Sequence, residues 1–323
     1  MPQKSWMYSV LEAVQHEMRQ SKDMVWLYEL TAPVASTPGK PVINLEREFG
    51  RTRVCNTGID EMWYAACTLG AGLVGVKAVT YIPYQGNCMC FQIIQNHAGK
   101  LHYMTGGKAK LPIVYILEMT GQTPGFAGQH SDYEIDTYYS HIPGVKTVVP
   151  STPYDAKGMM VSAMRDPNPV VYLYPAGLRD LMEEVPDDQY EVPLDKAAIR
   201  TTGSDITIVG SGASMPDVMD ATKQLQGMGM KVEAIDLRGL KPMDTETLVA
   251  SVQKTKRLLT VDQSYYTLCP GAEVIARVAE NVDGARFKRI AFPDAPPPAS
   301  PEMFLWMRPN AKNVVAAAKK LVG

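Results

Sequence analysis

The chain has 323 residues, 46% hydrophobic and 20% charged, with a net charge of −2. This is a soluble globular composition for one large or two ordinary domains; it lacks both the basic surface of a nucleic-acid binder and an apolar run of membrane-spanning length. There is no signal-peptide apolar core in M-P-Q-K-S-W-M-Y, and five irregularly spaced cysteines (Cys55, Cys67, Cys88, Cys90, Cys269) predict reduced thiols in a cytoplasmic protein.

Residues 6–19 put Met7, Val10, Leu11, Val14 and Met18 on one helical face. Residues 24–30, M-V-W-L-Y-E-L, read as a buried strand, and the Pro-, Ser- and Thr-rich residues 31–42 as an exposed loop. The stretch from Asn56 to Ala66, N-T-G-I-D-E-M-W-Y-A-A, reads as a Gly-containing turn entering a buried helix, with Asp60 and Glu61 in its first turn. V-K-A-V-T-Y-I-P-Y at 76–84 is a strand ended by proline. Residues 88–104 read as helix, stopped by T-G-G at 105–107. L-P-I-V-Y-I-L-E-M at 111–119 is continuously apolar, the pattern of a parallel sheet covered on both faces. A Gly-rich loop (120–131), a strand (144–150), a helix (153–165) and a strand (169–174) follow. This alternation predicts an α/β domain with a largely parallel sheet.

The polar stretch 176–203 reads as a linker, so the domains are expected at 1–190 and 191–323. The second α/β unit has strands at 205–212, 231–238, 257–263 and 287–292. Its helices run to about Met228, over 244–255 and over 270–282. A rigid loop, D-A-P-P-P-A-S-P at 294–301, precedes an amphipathic helix from about Ala311 to Val322.

Glu61 has two readings. An acid in a first helical turn complements the helix dipole or caps it. Held in an apolar pocket, it could instead carry or shuttle one proton on a bound cofactor. Gly210-Ser-Gly212 followed by Asp236 mimics a dinucleotide-binding fingerprint, but Met215 stands where the third glycine belongs. His130 ends the Gly-rich loop after a buried strand, a position suited to proton transfer or to bonding its own loop. Cys88-Met-Cys90 lacks the further ligands of a soft-metal site and reads as structural. No nucleophile elbow, H-E-x-x-H or Walker A motif occurs, which disfavours hydrolase, zinc protease and phosphotransferase functions.

Several blocks in order resemble the β subunit of the thiamine-diphosphate-dependent first component of 2-oxo acid dehydrogenase complexes. They are I-D-E-M (59–62), K-L-H-Y-M-T-G-G (100–107), P-I-V (112–114), G-F-A-G-Q-H-S (125–131), H-I-P-G-V-K-T-V-V-P (141–150), P-Y-D-A-K-G (153–158), D-P-N-P-V-V (166–171) and D-L-R-G-L-K-P-M-D (236–244). The resemblance covers nearly the whole chain. It implies a pyrimidine-binding thiamine-diphosphate domain, a parallel sheet with helices on both faces, followed by a transketolase C-terminal-like α/β domain. It assigns Glu61 to N1′ of the cofactor's aminopyrimidine, where proton exchange readies the cofactor for attack on a 2-oxo carbonyl. Ile59 should line the same pocket, and His130 should position substrate or the incoming lipoyl group. A structural potassium ion is implied at the carbonyls of Ile113, Ala163 and Met164 with Asp166 and Asn168, oxygen donors that suit a hard cation.

Thiamine-diphosphate enzymes hold the diphosphate and Mg2+ with Gly-Asp-Gly and a distant Asn-Asn, and this chain has neither. The resemblance therefore implies an α subunit that supplies them in a two-α, two-β assembly, with a dihydrolipoyl acyltransferase core as a further partner. Departures cluster near the expected site. Pro83 and Asn87 align with the family's aminopyrimidine-stacking positions, and Tyr84 takes that role if a gap lies earlier. Gly58 replaces a proline and Asp132 a glutamine, and the usual acid after P-V-V is missing from the strand end Tyr172-Leu-Tyr174-Pro. These changes keep open a relative that cleaves or joins carbon–carbon bonds without lipoyl transfer.

Overall fold

The computed structural model describes residues 1–30, 32–83, 86–119 and 135–323. They form two units. The first takes residues up to 119 and Tyr139–Leu194, the second residues 135–138 and Asp195–Gly323.

In the first unit, strands β1 (Val25–Tyr28), β2 (Val54–Asn56), β3 (Ala78–Ile82), β4 (Ile113–Met119), β5 (Lys146–Val148) and β6 (Val170–Pro175) pair in the order β5-β6-β4-β3-β1-β2. Every pairing is parallel. Alternate side chains leave the sheet on opposite faces. One face is aromatic: Tyr174 stacks with Trp6 of helix α1 (Trp6–Gln20) at 4.9 Å, and Tyr172 lies tilted at 6.0 Å from it. On the other face lies α2 (Glu61–Leu73), where Tyr115 donates a 3.2 Å bond to the Ala65 carbonyl. Gly72 sets this approach, because a Cβ there would lie 2.7 Å from Ile113 Cγ2.

The second unit pairs β7 (Ala198–Thr201), β8 (Ile206–Gly210), β9 (Val232–Asp236), β10 (Arg257–Tyr265) and β11 (Arg286–Phe292) in the order β7-β9-β8-β10-β11. Only β7 is antiparallel. Met215, at the start of a helix that runs to Gly227, joins Val218, Leu259 and Val314 in the core. A Cβ on Gly210 would lie 2.8 Å from Ser214 Oγ and 3.1 Å from Met215 Sδ. The crevice a dinucleotide would need is thus filled by side chains of the same chain.

The expected elements differ from the observed ones in several places. The loop expected to be exposed at 31–42 carries the strand Val34–Ala35, paired with Ile43–Asn44, and buries Ala35 and Thr37. The helix of 88–104 contains a π-helical turn, Ile93–Ala98, between Gly86–Gln92 and Gly99–Met104. The expected linker carries two strands: Met182–Glu184 pairs with Gln3–Ser5, and Ala198–Thr201 becomes the β7 edge. Pro301–Met307 is a helix, capped by Ser300 with proline in its first turn. The Glu61 helix, expected to be buried, buries only Tyr64, Ala65, Thr68, Leu69 and Gly72, because one side alone meets the sheet.

The first unit also encloses two lysines. Lys4 and Lys157 are fully buried and both donate to Glu12, at 2.7 Å each to Oε2. Burial lowers the Lys157 pKa, and Glu12 opposes that shift. Glu12→Ala would leave buried Lys157 without its carboxylate partner, while Lys4 would keep Asp187 at 2.8 Å. The expected cost is roughly 3–5 kcal/mol, as for removing one partner of a buried ion pair. Urea denaturation checks it, and an unchanged midpoint would contradict the arrangement.

Candidate active site

The approach to Glu61 is built from backbone rules. β2 ends at Asn56, whose Oδ1 accepts from Gly58 N at 3.1 Å. Gly58 has φ +72, a conformation that favours glycine and turns the chain. Thr57 N and Oγ1 both donate to the Tyr28 carbonyl, at 3.0 and 3.1 Å, which pins the turn to the end of β1. Asp60 caps α2 by accepting from Trp63 N at 3.0 Å. Glu61 is then the first helical residue, at the positive end of the helix dipole.

This turn brings Glu61 next to a carboxyl that the sequence reading passed over. Glu29 directly follows β1 and is 1% exposed. Burial, then the nearby Glu61 charge, pushes its pKa up to about 7, while the Asp60 backbone N–H pulls the other way. Glu29 Oε2 and the hydroxyl of buried Tyr64 have no hydrogen-bond partner among the described residues. Burial, Glu29 and Glu61 all raise the Tyr64 hydroxyl. Two unmet buried polar groups beside a helix-start carboxylate fit a ligand that brings its own hydrogen bonds, such as an aminopyrimidine. The one clue to Glu29 in the sequence was an acid ending an otherwise apolar strand.

Glu61 itself is half-buried, and Ile59 is 68% exposed. The dry pocket expected around them is not closed by the described residues of this chain. Apolar side chains on the same helix also face outward: Met62 is 47% and Trp63 52% exposed. Tyr84 and His130 lie outside the described residues.

The five residues expected at a cation site meet in one corner. Ala163 and Met164 lie in the last turn of the helix Pro153–Arg165, which Asp166 ends by donating its N–H to the Ala163 carbonyl at 3.3 Å. Asp166 Oδ1 accepts from Asn168 N at 2.9 Å, and the Lys146 ammonium pairs with Asp166 Oδ2. Ile113 opens β4 beside this turn, since Leu111 N bonds the Pro167 carbonyl at 2.9 Å. Asn168 Oδ1 is buried with no partner among the described residues. That unmet acceptor at the negative end of a helix fits a cation, although Lys146 already neutralises the Asp166 carboxylate.

Residues 3–179 match the family described as transketolase, pyrimidine binding domain, and residues 195–314 that described as transketolase, C-terminal domain. The chain is 36% identical over 313 residues to the pyruvate dehydrogenase E1 component subunit beta of Rhizobium meliloti (strain 1021), covering 95% of this chain and 67% of that one. It is 34% identical over 285 residues to the acetoin:2,6-dichlorophenolindophenol oxidoreductase subunit beta of Bacillus subtilis (strain 168), covering 86% and 82%. The chain belongs to the family of pyruvate and acetoin dehydrogenase β subunits. Among solved structures, one titled split gene transketolase, inactive beta4 tetramer, shares the fold with a TM-score of 0.79 at 21% identity, over 97% of each chain. The expected α/β architecture of pyrimidine-binding and C-terminal domains holds.

The Glu29 carboxyl yields a pH dependence. Its folded pKa of about 7 lies above its ordinary 4.5. Such a group stabilises the fold most below the unfolded pKa, and that contribution is lost as pH rises through the folded one. The unfolding midpoint should therefore fall between pH 5 and 8, and Glu29→Gln should flatten the fall. Calorimetry giving both proteins the same slope would contradict a buried, proton-holding Glu29.

Proposed function

We propose that this chain is the β subunit of a heteromeric thiamine-diphosphate-dependent 2-oxo acid or acetoin dehydrogenase, working in the cytoplasm. The observation that carries the proposal is the half-open site. Glu61 stands at a helix start among exposed Ile59, Met62 and Trp63, with buried Glu29 behind it. An α subunit bearing the diphosphate and Mg2+ motif would cover this surface in a two-α, two-β assembly. When bound, thiamine diphosphate supplies a carbon nucleophile for the 2-oxo carbonyl.

This chain's part is proton control and orientation. Glu61 sits at the positive end of its helix dipole. Burial and the Glu61 charge favour the protonated form of Glu29, so a proton is held beside Glu61. Glu61 then meets N1′ as an acceptor and can take or return that proton. Ile59 and Tyr84 would flank the pyrimidine, and His130 would orient substrate or the lipoyl group. The acyl group would pass to lipoamide on a dihydrolipoyl acyltransferase core. Ile113, Ala163, Met164, Asp166 and Asn168 would hold K+, a role supported by the unmet Asn168 Oδ1.

A second reading is a carbon–carbon lyase or carboligase β subunit without lipoyl transfer. It is favoured by the strand end Tyr172-Leu-Tyr174-Pro, which lacks the family's acid and where Tyr174 is buried against Trp6. Product analysis with and without a lipoyl acceptor separates the two.

With the α subunit present, Glu61→Gln should lower turnover by roughly 10²-fold or more, the scale of positioned acid–base catalysis. Unchanged turnover would reject a catalytic β chain. Potassium chloride should raise the unfolding midpoint by a few degrees over choline chloride at equal ionic strength, by binding the folded state alone. Asn168→Leu should erase that difference, and equal midpoints for the wild type in both salts would remove the cation from the account.

A further inference from the structure

The second unit carries a cavity of about 530 Å³, within the size range of about 300–1,000 Å³ that suits small ligands. Tyr138, Ser264, Tyr265, Thr267, Asp294 and Pro296 are among its lining residues. No cationic side chain lines it among the described residues. Asp294 lies at the surface, where Thr267 fixes it with N–H and hydroxyl bonds of 3.0 and 2.7 Å. Those bonds hold its carboxyl below the usual range, so it is ionised.

A second carboxyl lies behind the wall. Ser264 Oγ donates to Asp136 Oδ1 at 2.9 Å, and Thr137 N donates to the same oxygen at 2.7 Å. Asp136 Oδ2 takes no bond among the described residues. Asp136 is 5% exposed; burial, with a smaller contribution from buried Asp262, pushes its pKa up to about 7 against the opposing Ser264 hydrogen bond. An approaching cation would repay its ionisation. The nearby guanidinium of Arg289 is engaged elsewhere: it stacks at 4.2 Å on the Tyr266 ring and donates to the Tyr266 carbonyl at 3.0 Å.

We propose that this cavity binds a small organic cation, its ammonium between the Asp294 carboxylate and the Ser264–Asp136 pair and its apolar part against Tyr138 and Tyr265. Carboxylates and tyrosine faces both attract an ammonium group. An anion would be repelled by Asp294, and a neutral ligand of the same shape would gain nothing from it.

Benzylammonium, benzyl alcohol and benzoate are the probes, titrated calorimetrically into the full chain at pH 7. Benzylammonium should bind at least tenfold more tightly than benzyl alcohol, and benzoate should give no binding heat. Asp294→Asn, a surface change, should weaken benzylammonium at least threefold, as should the isosteric Asp136→Asn. Glu61→Gln should leave its Kd unchanged, which keeps this test separate from the proposed catalytic site. Equal binding of benzyl alcohol would overturn the proposal. So would a Kd indifferent to Asp294→Asn, or one lost in Glu61→Gln.

Discussion

Two carboxyls that cannot both be charged without cost organise the first unit. Glu29 is enclosed at the end of β1, and Glu61 starts a helix whose dipole welcomes negative charge. Burial penalises the charge on Glu29, and Glu61 adds to that penalty. A proton is therefore favoured on Glu29, beside Glu61. The surrounding structure serves to hold this geometry. Gly58 and Asn56 make the turn, Thr57 ties it to β1, and Gly72 lets the helix lie close on β4.

The exposed side of the same helix has a complementary meaning. Its inner side chains reach the sheet, while Ile59, Met62 and Trp63 meet solvent in the isolated chain. Large apolar side chains exposed in a group suit a surface that another protein covers. The lack of any phosphate- and metal-binding motif in the sequence points the same way. Under the proposed function, this chain would provide the proton chemistry and an α partner would hold the anionic end of the cofactor.

Much of the fold was legible because the strands are continuous apolar runs and the helices between them show an apolar face. The β7 edge was hidden because only one side of it is covered, so it carries no apolar run. The helix Pro301–Met307 was hidden among prolines that read as loop. In the candidate site, Glu61 was legible from its place after a turn and before a small-residue run. Glu29 was not, because a lone acid in an apolar strand carries no periodic signal; only the three-dimensional turn at 56–60 brings it to Glu61. The burial expected of the Glu61 helix failed for a related reason. Apolar composition says that a surface will be covered, and does not say by which chain.

The central claim is that this chain completes a thiamine-diphosphate site only with a second, different subunit. The most direct measurement is native purification of the tagged chain, with mass spectrometry of whatever co-elutes. The account predicts a stoichiometric partner carrying Gly-Asp-Gly and a downstream Asn-Asn, and thiamine diphosphate binding by the pair but not by either chain alone. Elution of the chain without such a partner, or tight cofactor binding by the chain by itself, would contradict it.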